Sequence, residues 1–314
     1  MYLGGGTPSL LEPEQIGRLL DILSRFYDLS KIEECSLEAN PENLSREKIE
    51  AYRRLKISRL SLGVQSWAPN ELKRIERLAT YSQMEKCIEN VRECFENFSL
   101  DLMIGIPEQS LESLNRSLDK LLSFSPPHLS IYLLTIAQEH IWFHSKTMKA
   151  LIPAEDTAAE FYEFVCKKLG AAFYKHYEVS NFAKGNKRSL HNSNYWNNQS
   201  GYLGLGPGAH SYFVHPPTRC SNILDMKAWV ESETGFMEAE ILSEEQQSIE
   251  AMYLNLRTRK ELQFSDFDAA LVEQLVNEGL LERQSSDTFS IAEPHWALLD
   301  AIAERLLRGR VARK

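Results

Sequence analysis

The sequence predicts an α/β protein built on a parallel sheet, followed by a smaller, mainly helical domain. Two observations carry this. Between Met1 and Leu134, short apolar runs alternate repeatedly with amphipathic stretches of helix length. Strands joined through helices run parallel, because each crossover returns the chain to the same end of the sheet. From about Asp225 the texture changes to acidic helical segments broken by one short hairpin. The resulting order of helix, helix, hairpin, helix is winged-helix-like. The expected division is 1–222 and 223–314.

The elements follow in order. Met1 to Leu3 reads as the end of a strand that runs directly into Gly4-Gly5-Gly6-Thr7-Pro8. Pro13 to Tyr27 reads as a helix with Ile16, Leu19, Leu20 and Leu23 along one side. Glu33 to Glu38 is a strand ending in Ala39-Asn40-Pro41, and Ser45 is placed to cap the helix after it. Arg59 to Val64 is a strand, followed by helices over Asn70–Leu78 and Ser82–Phe95. Ser99 to Ile104 is a strand, Leu111 to Phe124 a helix, and His128 to Leu134 a strand. Ala154 to Gly170 is a long helix, and His176 to Phe182 reads as one more strand. In the C-terminal part, Glu244–Leu256, Ser265–Asn277 and Trp296–Leu307 read as helices, with Leu280–Arg283 and Thr288–Ile291 pairing as a hairpin.

Polar residues mark the strands at revealing places. Thr7, Glu38, Gln65 and Thr135 fall at or just beyond strand C-termini, and Asp101 sits inside its strand. A single such residue is usually a loop or capping residue. One per strand points to a ligand crevice, which parallel α/β folds place at that end of the sheet.

A second focus is Lys187 to Tyr212. His191, Asn192, Tyr195 and Trp196 form an H-N-x-x-Y-W cluster. An imidazole, an amide and two aromatic faces in so short a run suit a planar, metal-containing ligand. Gly204, Gly206 and Gly208 follow, ending in Ala209-His210. Glycines let backbone approach a ligand closely. The same residues also suit a polar loop packed under aromatics and followed by ordinary turn glycines.

Composition narrows the class. Apolar content of 43% and charged content of 25% are those of a globular protein. A net charge of -9 argues against a nucleic-acid footprint, and the winged-helix-like part is therefore read as a packing or lid domain. No run is long enough to span a membrane, no signal peptide is visible, and the 5 cysteines are scattered. A cytoplasmic location is expected.

The motifs together resemble the HemW heme-chaperone family, radical-SAM relatives of the oxygen-independent coproporphyrinogen III oxidases. The pieces are Gly4-Gly5-Gly6-Thr7-Pro8-Ser9, Leu37-Glu38-Ala39-Asn40-Pro41, Arg59 to Ser66, Asp101 to Pro107, His191 to Trp196 and Gly204 to His210. Each is weak alone, but the six in this order are specific and cover nearly the whole chain. The resemblance implies a partial (β/α)6 barrel of TIM type, with a C-terminal helical domain. It implies S-adenosylmethionine across the strand ends. Gly5, Gly6 and Thr7 would meet its methionine part, and Glu38, Gln65, Arg77 and Asp101 would surround the nucleoside and carboxylate. It implies heme at the H-N-x-x-Y-W cluster, with His191 as the candidate iron ligand, Asn192, Tyr195 and Trp196 shaping the site, and Gly206 and Gly208 alongside.

One departure matters. The family carries C-x-x-x-C-x-x-C upstream of the glycine motif, after a first barrel strand, to hold a [4Fe–4S] cluster. This sequence begins beyond both pieces, and Cys35, Cys87, Cys94, Cys166 and Cys220 lack that spacing. The expectation is a truncated or miscalled start, ahead of a naturally shortened form that only binds. The leading functional reading is a chaperone that passes heme to an acceptor protein, membrane-bound or not, with no nucleic acid involved. The alternative is an oxygen-independent coproporphyrinogen oxidase; a third reading is an inactive remnant. An uncovered sheet edge would favour self-association, so a homodimer is a candidate assembly.

Overall fold

In the computed structural model, which describes residues 1–136, 140–197, 200–258, 260–293 and 295–310, the apolar runs of the N-terminal half become strands of one sheet. The chain forms two compact units, Met1–His191 and Asn192–Lys314.

The first unit runs β1 (Tyr2–Leu3), α1 (Pro13–Leu23), β2 (Ser36–Ala39), α2 (Arg46–Arg54), β3 (Arg59–Gln65), α3 (Pro69–Arg74), α4 (Tyr81–Cys94), β4 (Phe98–Ile104), α5 (Leu111–Ser123) and β5 (His128–Leu133). It continues through α6 (Ile141–His144), α7 (Lys146–Leu151), α8 (Glu155–Ala171), β6 (Lys175–Glu178) and β7 (Asn181–Ala183). Strands β1 to β5 pair in sequence order and in parallel. The sheet order is β1-β2-β3-β4-β5-β7-β6, open among the described residues, with no barrel closure. Ser45 caps α2 as expected, its side chain accepting the Lys48 N–H. The single strand expected over His176–Phe182 is corrected to a hairpin. β7 lies antiparallel to β5, and β6 antiparallel to β7. The turn is set locally: the Glu178 carboxylate accepts the Ser180 N–H at 3.2 Å, and Tyr162 Oη donates to the Val179 carbonyl at 2.7 Å. Such side-chain bonds divert backbone groups from the ladder.

Period-2 alternation gives this sheet two chemically distinct faces. Leu37, Leu60, Leu62, Leu100, Leu102, Leu129 and Ile131 are buried on one. With the buried stripes of the helices, such as Ile16, Ile49, Ile88, Val91, Leu114 and Leu118, they make the core. Alternate positions carry Glu38 on β2, Ser61 and Gly63 on β3, Ser99 and Asp101 on β4, and His128, Ser130 and Tyr132 on β5. That second face is polar.

Helix α9 (Leu190–Tyr195) crosses the boundary into the second unit. There follow β8 (His210–Val214), β9 (Pro217–Asn222), α10 (Met226–Glu231), β10 (Phe236–Ile241), α11 (Glu244–Arg257), β11 (Leu262–Gln263), α12 (Ala269–Asn277), β12 (Leu281–Arg283), β13 (Thr288–Ile291) and α13 (Leu299–Arg308). The expected C-terminal order of helix, helix, hairpin, helix is α11, α12, β12–β13, α13, with β11 added to the hairpin. Met252, Leu256, Val272, Leu275, Phe289, Ile302 and Leu306 are its buried centre. The antiparallel sheet β10-β9-β8 was not expected. The division drawn at 222/223 falls between β9 and β10, which pair with each other. Every residue of β10 is exposed, so that strand lacks the alternation that marks a half-buried one.

Candidate functional site

The polar face and the loops after the strands enclose a cleft of about 210 Å³ lined by residues that include Gly6, Thr7, Glu38, Asn40, Ser61, Gly63, Gln65, Arg77, Asp101 and Tyr132. The cleft thus brings together Gly6, Thr7, Glu38, Gln65, Arg77 and Asp101 from the sequence reading. Gly5 joins them at the edge, its N–H donating to Glu38 Oε2 at 3.1 Å. Thr135 is exposed and does not line it.

Each element is placed by local chemistry. Gly5 adopts φ +100, a backbone conformation that only glycine reaches easily, and this lets the loop fold back onto Glu38. The loop is pinned at its other end, where Ser9 Oγ accepts the Asn40 N–H at 3.1 Å. Register places Gly63 beside Asp101 and Asp101 beside Ser130. The β3–β4 register shifts between Gly63 and Gln65, and Gln65 has φ +68. Bulges re-aim side chains in this way. A Cβ on Gly63 would lie 2.8 Å from Gln65 Nε2 and 3.1 Å from Arg77. Glycine there makes room for the Gln65, Arg77 and Asn40 side chains at the cleft floor.

The electrostatics are mixed. Glu38 is engaged by Tyr2 Oη, which donates to Oε1 at 2.5 Å. Arg77 Nη1 lies 3.5 Å from Glu42 Oε1. Gln65 Oε1 is buried with no hydrogen-bond partner among the described residues, so the cleft presents an unused acceptor. Asp101 is nine-tenths buried, and burial lifts its carboxyl to about 6, against the pull of hydroxyls donated by Ser99 and Ser61. Behind it, Ser99 Oγ lies 2.9 Å from His128 Nδ1, and His128 Nε2 lies 2.8 Å from Tyr177 Oη. Burial holds His128 well below its ordinary value, so it is neutral.

The H-N-x-x-Y-W residues divide between the units. His191 closes the first. Its imidazole stacks on the Tyr2 ring with centroids 3.8 Å apart and planes at 9°. Burial lowers it to about 4, leaving a neutral ring with a lone pair at pH 7. Glu34 Oε1 accepts the N–H groups of Leu190 and His191 at 3.2 and 3.5 Å. In the second unit Asn192 is half-buried, and Tyr195 packs edge-on against Tyr202 at 4.5 Å. Trp196 lies under the Arg257 guanidinium at 5.3 Å, and its buried indole N–H has no acceptor among the described residues. Asn198 and Gln199 lie outside the described residues.

The glycine loop of that unit is tied to β9. The Asn222 amide donates to the Gly204 and Gly206 carbonyls at 3.3 and 2.8 Å, and Gly208 N–H donates to the Ile223 carbonyl at 3.1 Å. Gly206 and Gly208 have φ of +105 and +67. Their conformations are therefore needed by the loop's own path.

The residues present do not fit a [4Fe–4S] cluster. Cys35 precedes β2, Cys87 and Cys94 share α4, Cys166 is on α8 and Cys220 on β9, and none of the five forms a disulfide. No group of three or more metal-capable side chains occurs among the described residues. Sequence reasoning also missed Tyr2, Glu34, Asn40, Ser61 and Tyr132. The period-2 continuation from Gln65 back to Ser61, and from Tyr132 back to His128, was the available signal for Ser61 and Tyr132.

Comparison with known proteins agrees with the geometry. Residues 1–121 match the radical SAM superfamily. The chain is 36% identical to the heme chaperone HemW of Bacillus subtilis over 264 residues, covering 82% of this chain and 69% of that protein. It is 34% identical to that of Lactococcus lactis, covering 85% and 71%. In three dimensions it superposes on coproporphyrinogen III oxidase from Escherichia coli, a radical SAM enzyme, with a TM-score of 0.83 at 19% identity, over 97% of this chain and 76% of the other. That last likeness concerns the fold. The chain belongs to the HemW heme-chaperone family of the radical SAM superfamily.

Proposed function

We propose that this protein is a heme chaperone that binds heme through His191, holds S-adenosylmethionine in the cleft, and delivers heme to an acceptor protein. The observation that carries the heme reading is His191 itself. It is a neutral imidazole whose face rests on Tyr2 and whose backbone is fastened by Glu34. A neutral ring held in one orientation suits axial ligation of iron. The motif adds Asn192, Tyr195, Trp196, Gly206 and Gly208 as proposed contributors.

The cleft fits S-adenosylmethionine chemically. Backbone N–H groups of the Gly5-Gly6-Thr7 loop and the Arg77 guanidinium suit a carboxylate, while Glu38, Asp101 and the unused Gln65 acceptor suit ammonium and ribose hydroxyl donors. The five cysteines supply no cluster site. The absence of disulfides among the five cysteines supports a cytoplasmic setting. No described helix is long and apolar enough to cross a membrane.

The test is an anaerobic absorbance titration with heme of the wild-type chain and His191→Ala. A saturable Soret shift that weakens tenfold or more in the variant supports the reading. Equal affinities remove His191 as ligand. Decarboxylation of coproporphyrinogen by the reconstituted protein would replace the chaperone reading with the oxidase one.

A further inference from the structure

We infer that Tyr2 couples the cleft to His191, so that a ligand engaging Glu38 changes the seating of the imidazole. The inference deepens the proposed function and rests on its assignment of the two ligands. One residue touches both places. The Tyr2 hydroxyl donates to Glu38 Oε1 at 2.5 Å, and Glu38 Oε2 accepts the Gly5 N–H at 3.1 Å. The ring of the same residue lies flat on His191, 3.8 Å between centroids and 9° between planes.

The surroundings make the link stiff. Gly4 has no room for a side chain, since a Cβ there would meet the Tyr2 ring, so the loop and ring are packed as one piece. Tyr2 pairs with Ser36 in the β1–β2 register, which fixes its backbone. On the other side, Glu34 Oε1 holds the Leu190 and His191 amides and accepts the Ser36 hydroxyl at 3.0 Å. His191 therefore has a fixed main chain, and the Tyr2 ring is the movable wall against its imidazole.

A ligand donor that takes Glu38 Oε1 competes with the Tyr2 hydroxyl. Where the hydroxyl gives way, the ring rotates or shifts, and the stacked imidazole shifts with it. Binding in the cleft thereby alters the geometry offered to heme iron. By linkage, heme at His191 changes the affinity for S-adenosylmethionine by the same factor. A coupling of about 5-fold or more is expected, the lower end of common allosteric couplings.

The experiment compares the wild type with Tyr2→Phe, which keeps the ring over His191 and removes the hydroxyl. The primary readout is the His191 ring ¹³Cε1 resonance, assigned by its loss in His191→Gln, with and without saturating S-adenosylmethionine and with no heme present. The resonance is expected to move in the wild type and to stay in place in Tyr2→Phe, while calorimetry shows the ligand still bound. The second readout is heme affinity, expected to differ by about 5-fold or more with S-adenosylmethionine in the wild type and to be indifferent to it in Tyr2→Phe. Equal movement in both proteins would overturn the role of Tyr2, as would a wild-type resonance that ignores bound ligand. If S-adenosylmethionine fails to bind, Glu38→Ala replaces it as the perturbation, and the same His191 movement must appear with Tyr2 and vanish with Phe. A protein that binds no heme yet shows the resonance change refutes the chaperone reading while leaving the coupling intact.

Discussion

Replacing Asp101 by Asn tests the electrostatics of the cleft directly. Asp101 is buried and accepts hydroxyl hydrogen bonds from Ser61 and Ser99, yet burial outweighs them and lifts its carboxyl from an ordinary 3.8 to about 6. In the unfolded chain the group ionises near its ordinary value. Between those two pH values the unfolded state has lost a proton that the native state keeps, so stability falls as pH rises through the window. The favourable contribution is complete below the unfolded value and gone above about 6. At about 1.4 kcal/mol per pH unit, the span amounts to about 3 kcal/mol. Asparagine keeps the shape and an acceptor oxygen but cannot ionise. Urea unfolding of both proteins at several pH values between 4 and 7, followed by circular dichroism, gives the difference curve. The wild type is expected to lose about 2.4 kcal/mol relative to Asp101→Asn across that range, the rest of the span lying below pH 4. Saturating S-adenosylmethionine should shrink the loss, because a donor or cation facing Asp101 favours its ionised form. Parallel curves, or a wild type that gains on the variant as pH rises, would refute the reasoning.

Other outcomes follow from particular contacts. Gly63→Ala is expected to weaken S-adenosylmethionine binding tenfold or more by calorimetry, because the new methyl group would crowd Gln65, Arg77 and Asn40. Gly204→Ala would drive a Cβ into the His210 carbonyl, a backbone atom that cannot step aside, and is expected to cost about 1–3 kcal/mol in thermal unfolding. Leu100→Ala, at a fully buried position on the apolar sheet face, is expected to cost about 2–5 kcal/mol in urea unfolding. Unchanged midpoints would contradict the packing described at either site.

The alternation of strand and helix through Leu134 is readable in the chain because a parallel sheet covered by helices leaves its period in the apolar residues. The same holds for Glu38 and Gln65, polar residues at the ends of apolar strands, and for Asp101, which interrupts one. Elsewhere the local signal is silent. His176 to Phe182 looks like one strand, and only the side-chain bonds of Glu178 and Tyr162 at its turn make it two. Strand β10 is exposed throughout and carries no alternation; its pairing with β9 is decided by a long-range ladder. The most consequential case is Tyr2. By itself it is an aromatic residue in a two-residue strand. Its hydroxyl finds Glu38 and its ring finds His191 only because the β1–β2 register and the Glu34 anchor bring together residues distant in sequence. Local composition and period determined which residues this protein offers for chemistry. Which of them touch was decided by the tertiary structure, because hydrogen bonds and ring contacts act over a few ångströms of space, whatever the separation along the chain.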